Sequence, residues 1–200
     1  MEKKKIKDGF KDDNGKWHFF TVPNILTIFR ILLIPLFVYL FMKDYDIEAF
    51  AILVLSGVTD VVDGFIARHY NMVSAVGKAL DPIADKLTQV AMLSCLMTKF
   101  VSMWVPFLLM IFKEFFSGIS ALFAIKYTGE VHGADWHGKL TTFSLYAMMA
   151  LHIIWPTIPS VLSNVLVGCC VGLMIISLFL YNVKNITMAK DGKKKEEISK

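Results

Sequence analysis

Four aspartates stand close together in a chain that is otherwise strongly apolar. Asp60 and Asp63 are three residues apart, and Asp81 and Asp85 four apart. On a helix, Asp60 and Asp63 share a face, with Gly64 and Ala67 close to it. Gly77, Asp81 and Asp85 repeat every four residues and form a second stripe. If two successive antiparallel helices carry these stripes, the four carboxylates meet across one interface. Four negative charges at one point repel, and two divalent cations cancel them. The donors are all oxygen, which suits Mg²⁺ or Mn²⁺ and argues against zinc. Two such ions are suited to holding phosphate oxygens during displacement at phosphorus. Gly64 and Gly77 have no side chain and admit a bulky ligand to the backbone. Arg68, one turn beyond Gly64, offers a guanidinium that grips phosphate. Each feature alone also has a structural explanation: small residues as a helix-packing seam, and Arg68 as an anchor at the membrane face.

The elements that must carry these residues look built for lipid. The chain of 200 residues is 56% hydrophobic and 19% charged, with mean hydropathy +0.56. Apolar runs close to membrane-spanning length recur. Six spans are expected, at about 23–42, 48–68, 77–98, 102–125, 139–156 and 161–183. They make one helical domain over 23–183, between a basic, interfacial segment 1–22 and a basic tail 184–200. The lysine-bearing N-terminus lacks the apolar core of a cleavable signal. With the N-terminus inside, the inside segments 1–22, 68–78, 126–139 and 184–200 hold six, two, two and six Lys or Arg, and the outside segments only Lys43 and Lys99. That bias puts both termini and the aspartates toward the cytoplasm. Cys95, Cys169 and Cys170 lie in apolar runs without metal-ligand spacing, so they read as packing residues. The basic ends come with no nucleic-acid motif, and none is expected as a partner.

The pattern Asp-x-x-Asp-Gly-x-x-Ala-Arg, eight residues, then Gly-x-x-x-Asp-x-x-x-Asp runs from Asp60 to Asp85 without a missing position. It resembles the signature of the CDP-alcohol phosphatidyltransferases. The resemblance implies six transmembrane helices around a polar cavity facing the cytoplasm of a cell membrane, paired as a homodimer. It implies transfer of a phosphatidyl group from CDP-diacylglycerol to an alcohol, with release of CMP. It makes Asp60, Asp63, Asp81 and Asp85 the holders of two Mg²⁺ or Mn²⁺ ions, and Asp85 also the general base. Asp60, Gly64, Ala67, Arg68 and Gly77 would line the CDP site.

The acceptor is signalled elsewhere. Pro23, Asn24, Thr27 and Arg30 resemble the start of the bacterial phosphatidylglycerophosphate synthases, with Asn24, Thr27 and Arg30 on one helix side facing an acceptor. Lys139 and Thr142 match a Gly-Lys-x-Lys-Thr segment of those enzymes, but Thr141 stands in place of the second lysine. Lys113 in the fourth span is another acceptor candidate. These residues favour glycerol 3-phosphate. The missing lysine keeps open a lipid alcohol, phosphatidylglycerol, as in a cardiolipin synthase. Intramembrane carboxylates also mark transporters, a third and weaker reading, because these cluster at helix ends rather than at midplane.

Overall fold

A computed structural model describes residues 21–69, 75–128 and 136–198. Its elements are α1 (Val22–Met42), α2 (Asp46–His69), α3 (Ala75–Lys99), one 3-10 turn (Val101–Met103), α4 (Trp104–Thr128), α5 (Trp136–Ile154) and α6 (Ser160–Ile198). No strand occurs among the described residues, and the protein is an all-α membrane protein. Four segments are long and apolar enough to cross a bilayer: Val22–Met42, Asp46–Ile66, Val101–Ser120 and Ser160–Met188. α3 and α5 carry more polar residues and fall outside that set. The chain divides into two compact units, at Cys95 and Leu96 within α3.

In the first unit α1 packs along α2. Thr21 caps α1 from an extended conformation, its hydroxyl accepting the Asn24 amide at 3.4 Å. Pro23 sits in the first turn, where a missing N–H costs nothing. Pro35 lies inside α1; membrane helices absorb such breaks by local adjustment. The helix ends in a tight reversal. Asp44 takes φ 60°, its amide bonds Phe41 O at 3.1 Å, and the Tyr45 amide bonds Leu40 O at 3.0 Å. This is the Schellman arrangement, with aspartate rather than glycine in the left-handed position, which short polar residues reach more easily than most. Tyr45 O then receives the Ala49 amide at 2.9 Å and starts α2.

That reversal sets the height of the site. Arg30 stands 12 residues before the end of α1, and Asp60 14 after the start of α2. At 1.5 Å per residue both lie about 20 Å from the turn. The buried stripe of α1 is Asn24, Thr27 and Arg30 near its start, then Leu33, Phe37 and Phe41. Its opposite face, with Ile25, Ile28, Leu32 and Leu36, is exposed and apolar. Polar residues inside and apolar residues outside is the arrangement a lipid-facing helix requires.

In the second unit α6 packs against α4 and α5 over a core rich in sulfur: Met103, Met110, Met148, Met149 and Met174 are buried. Polar clips fix these seams. Asn185 Nδ2 donates to Ser120 Oγ at 3.0 Å, and Thr141 Oγ1 lies 3.3 Å from Leu173 O. Buried His152 spans Met148 O at 2.8 Å and Ser163 Oγ at 2.9 Å, with Phe100 edge-on to its ring. α6 runs unbroken for 39 residues, about 58 Å. The stretch 184–198, set apart from sequence as a tail, is the continuation of this helix.

Candidate active site

The two aspartate stripes meet, and α1 brings a cation to them. Asp60 and Asp63 project from α2, Asp81 and Asp85 from α3, and all four reach the guanidinium of Arg30. Nη1 pairs with Asp60 and lies 3.1 Å from Asp85 Oδ1. Nη2 lies 3.3 Å from Asp63 Oδ2 and 3.4 Å from Asp81 Oδ1. Each terminal nitrogen therefore serves two carboxylates, one from each helix. Thr27 Oγ1, one turn before Arg30, adds a hydrogen bond of 2.7 Å to Asp81 Oδ1. The same oxygen of Asp81 thus accepts from both Thr27 and Arg30.

Burial divides the cluster into a floor and a rim. The side chains of Arg30 and Asp63 are each 4% exposed. Those of Asp60, Asp81 and Asp85 are 46%, 47% and 49% exposed. A charged floor of this kind is stable only because it is paired. Formally, four carboxylates face one guanidinium, leaving three negative charges uncompensated by it. The Arg30 Nε is buried and has no partner among the described residues. On the core side, Arg30 borders a small crevice of about 10 Å³ with Leu33, Phe37, Ile52 and Ser56 among its walls.

The donor chemistry fits divalent cations. The candidate donor atoms are all carboxylate oxygens, they come from two helices, and a positive group lies among them. Among the described residues, no three acidic, His or Cys side chains close into a formed cage around an ion. All four carboxylates of the cluster pair with Arg30.

The remaining expected site residues fall as follows. Gly64 follows Asp63 on α2 and is half-buried; Gly77 is buried in the first turn of α3. Ala67 and Arg68 belong to the last turns of α2, but their side chains lie outside the described part. So do residues 1–20 of the interfacial segment 1–22. Pro82 stands between Asp81 and Asp85 and removes one helical hydrogen bond there. Asn24, Thr27 and Arg30 were expected to face an acceptor. They share one buried face of α1, where the Thr27 hydroxyl and the Arg30 Nη1 and Nη2 bond the aspartates. A dense group of carboxylates is the strongest acceptor within reach of a buried guanidinium. Sequence reading missed this counter-ion role.

In the second unit, Lys113 lies on α4, 3.7 Å from Glu114, and Lys139 is exposed near the start of α5. Thr141 is 4% exposed and turned toward α6.

The family model described as CDP-alcohol phosphatidyltransferase matches residues 20–189. Its members use divalent metals. A CDP-diacylglycerol–glycerol-3-phosphate 3-phosphatidyltransferase of Wigglesworthia glossinidia brevipalpis is 37% identical over 98 residues, 46% of this chain and 54% of the relative. One of the same name from Rickettsia typhi is 39% identical over 108 residues, 52% of this chain and 61% of the relative. The cardiolipin synthase (CMP-forming) of Homo sapiens is 40% identical over 108 residues, 54% of this chain and 36% of the relative. In each case the match spans less than two thirds of the relative's own length.

Proposed function

This chain belongs to the CDP-alcohol phosphatidyltransferase family, and on that premise we propose that it makes membrane phospholipid. It transfers the phosphatidyl group of CDP-diacylglycerol to an alcohol and releases CMP. The acceptor is glycerol 3-phosphate and the product phosphatidylglycerophosphate, the reaction for which its Wigglesworthia and Rickettsia relatives are named. The observation that carries this reading is the convergence of Asp60, Asp63, Asp81 and Asp85 on one point.

Asp60, Asp63, Asp81 and Asp85 hold two divalent ions, Mg²⁺ or Mn²⁺. When bound, these supply charge neutralisation at the diphosphate and polarise its oxygens. Gly64, Ala67 and Gly77 leave room for the nucleotide, Asp60 borders it, and Arg68 pairs with its phosphate. Asp85, half-exposed on the rim, takes the proton of the acceptor hydroxyl. The acceptor oxygen forms its bond to the phosphorus bearing diacylglycerol as the bond from that phosphorus to the CMP oxygen breaks. No covalent enzyme intermediate is required, because the hydroxyl attacks directly.

Asn24, Thr27 and Arg30, on one face of α1, serve the acceptor from the side of the aspartates. All six helices span a cell membrane, with both ends of the chain on its cytoplasmic side, and two copies pair. A second reading, cardiolipin synthesis from phosphatidylglycerol, is favoured by one observation. Thr141, where a second lysine would assist a phosphorylated acceptor, is buried against α6. A panel of acceptors separates the two. Purified protein, CDP-diacylglycerol and Mg²⁺ are given glycerol 3-phosphate, phosphatidylglycerol, serine or inositol phosphate. CMP release with glycerol 3-phosphate well above the others is expected. Preference for phosphatidylglycerol would replace the first reading with the second.

A further inference from the structure

We propose that Arg30 is a captive counter-ion that exchanges with the divalent cations. It closes the carboxylate cluster in their absence and is released as they bind. The inference rests on the reading above, that these aspartates hold metal.

The geometry points to competition for the same atoms. Arg30 engages Asp60 Oδ1, Asp63 Oδ2, Asp81 Oδ1 and Asp85 Oδ1, one oxygen of every carboxylate in the cluster. Nη1 and Nη2 between them carry four N–H groups, and four carboxylates share them. A cation bound at these oxygens competes with the guanidinium for their lone pairs.

Charge arithmetic gives the direction. Arg30 alone leaves the four carboxylates three charges short of neutrality. Two divalent ions neutralise all four, and the guanidinium charge is then surplus. Like charges held together in a low-dielectric site repel strongly, so Arg30 leaves the cluster. Its Nε is already buried without a partner among the described residues, so the resting position does not satisfy the whole group. The half-exposed rim of Asp60, Asp81 and Asp85 is where cations enter, while Asp63 and Arg30 form the closed floor.

Once released, Arg30 carries a free positive charge beside the reaction centre, available to an anionic acceptor. The site would thus become acceptor-binding only after it is loaded. In the cation-free protein, Arg30 prevents four unpaired carboxylates from pushing α2 and α3 apart.

The test compares full-length wild type with Arg30→Met in lipid nanodiscs. Mn²⁺ binding is titrated by electron paramagnetic resonance, with helix content followed by circular dichroism. The variant should bind Mn²⁺ about tenfold tighter or more, because a competing unit charge is gone. Equal or weaker binding by a helical variant overturns the proposal. If wild type binds no Mn²⁺, both the proposal and the metal role of the aspartates fall.

A second readout uses wild type alone and does not depend on the variant folding. Arg30 and Arg68 are the two arginines of the chain, and phenylglyoxal modification of each is read by peptide mass. Arg30 should be protected in chelator and react several-fold faster in Mn²⁺. A rate for Arg30 unchanged by Mn²⁺ contradicts the exchange.

Discussion

Replacing Arg30 by methionine should cost more stability than replacing any single aspartate of the cluster. Each Asp→Asn change removes one of four partners of the guanidinium, but it also takes the formal charge of the group from −3 to −2. Lost attraction and relieved repulsion offset, so the expected change is within about 1 kcal/mol for Asp60, Asp81 and Asp85, whose exposed sides keep water. Arg30→Met moves the charge to −4 and removes a partner that all four share. The largest part of the loss comes from Asp63, which at 4% exposure cannot recover its pairing from solvent. Breaking a buried pair by deleting one partner costs about 3–5 kcal/mol. The three rim carboxylates add less than about 1 kcal/mol each. The assay is reversible unfolding in mixed micelles containing chelator, followed by far-ultraviolet circular dichroism. An Arg30→Met protein as stable as wild type would refute the reasoning. So would any rim aspartate variant that loses more than Arg30→Met does.

Three other outcomes follow from the site. Asp85→Asn should lower CMP formation by about 100-fold or more while the protein still expresses and stays helical; near-normal turnover would remove Asp85 from the base role. Chelator should stop CMP release and added Mg²⁺ or Mn²⁺ restore it, and full activity in chelator would contradict the metal reading. Thr141→Lys should destabilise the second unit by about 1–3 kcal/mol, since Thr141 is buried beside Leu173 of α6. A stable Thr141→Lys protein with improved use of glycerol 3-phosphate would show that this seam admits the lysine.

The aspartate cluster was legible because its spacing carries the geometry. Intervals of three and four residues put Asp60 with Asp63 and Asp81 with Asp85 on helix faces. α1 to α5 were legible as apolar runs, with ends shifted by a few residues. The C-terminal half of α6 was not. Residues 184–198 are polar, so no apolar periodicity marks them, yet their lysines, glutamates and alanine are good helix formers that extend an existing helix at little cost. The partner of Arg30 was also hidden. Spacing assigns a residue to a face and leaves open what that face meets. The signal was the distance of Arg30 and Asp60 from the reversal at Asp44, which sets both at one height. The Thr27 hydrogen bond to Asp81 depends on the packing of α3 beside α1, which no interval within α1 encodes.

The central claim is phosphatidyl transfer at the four aspartates. Its most direct test is product analysis of the purified chain with CDP-diacylglycerol, Mg²⁺ and glycerol 3-phosphate. CMP and phosphatidylglycerophosphate should appear together, one for one, and neither should form without the acceptor. Absence of CMP with this and every other alcohol offered would contradict the claim.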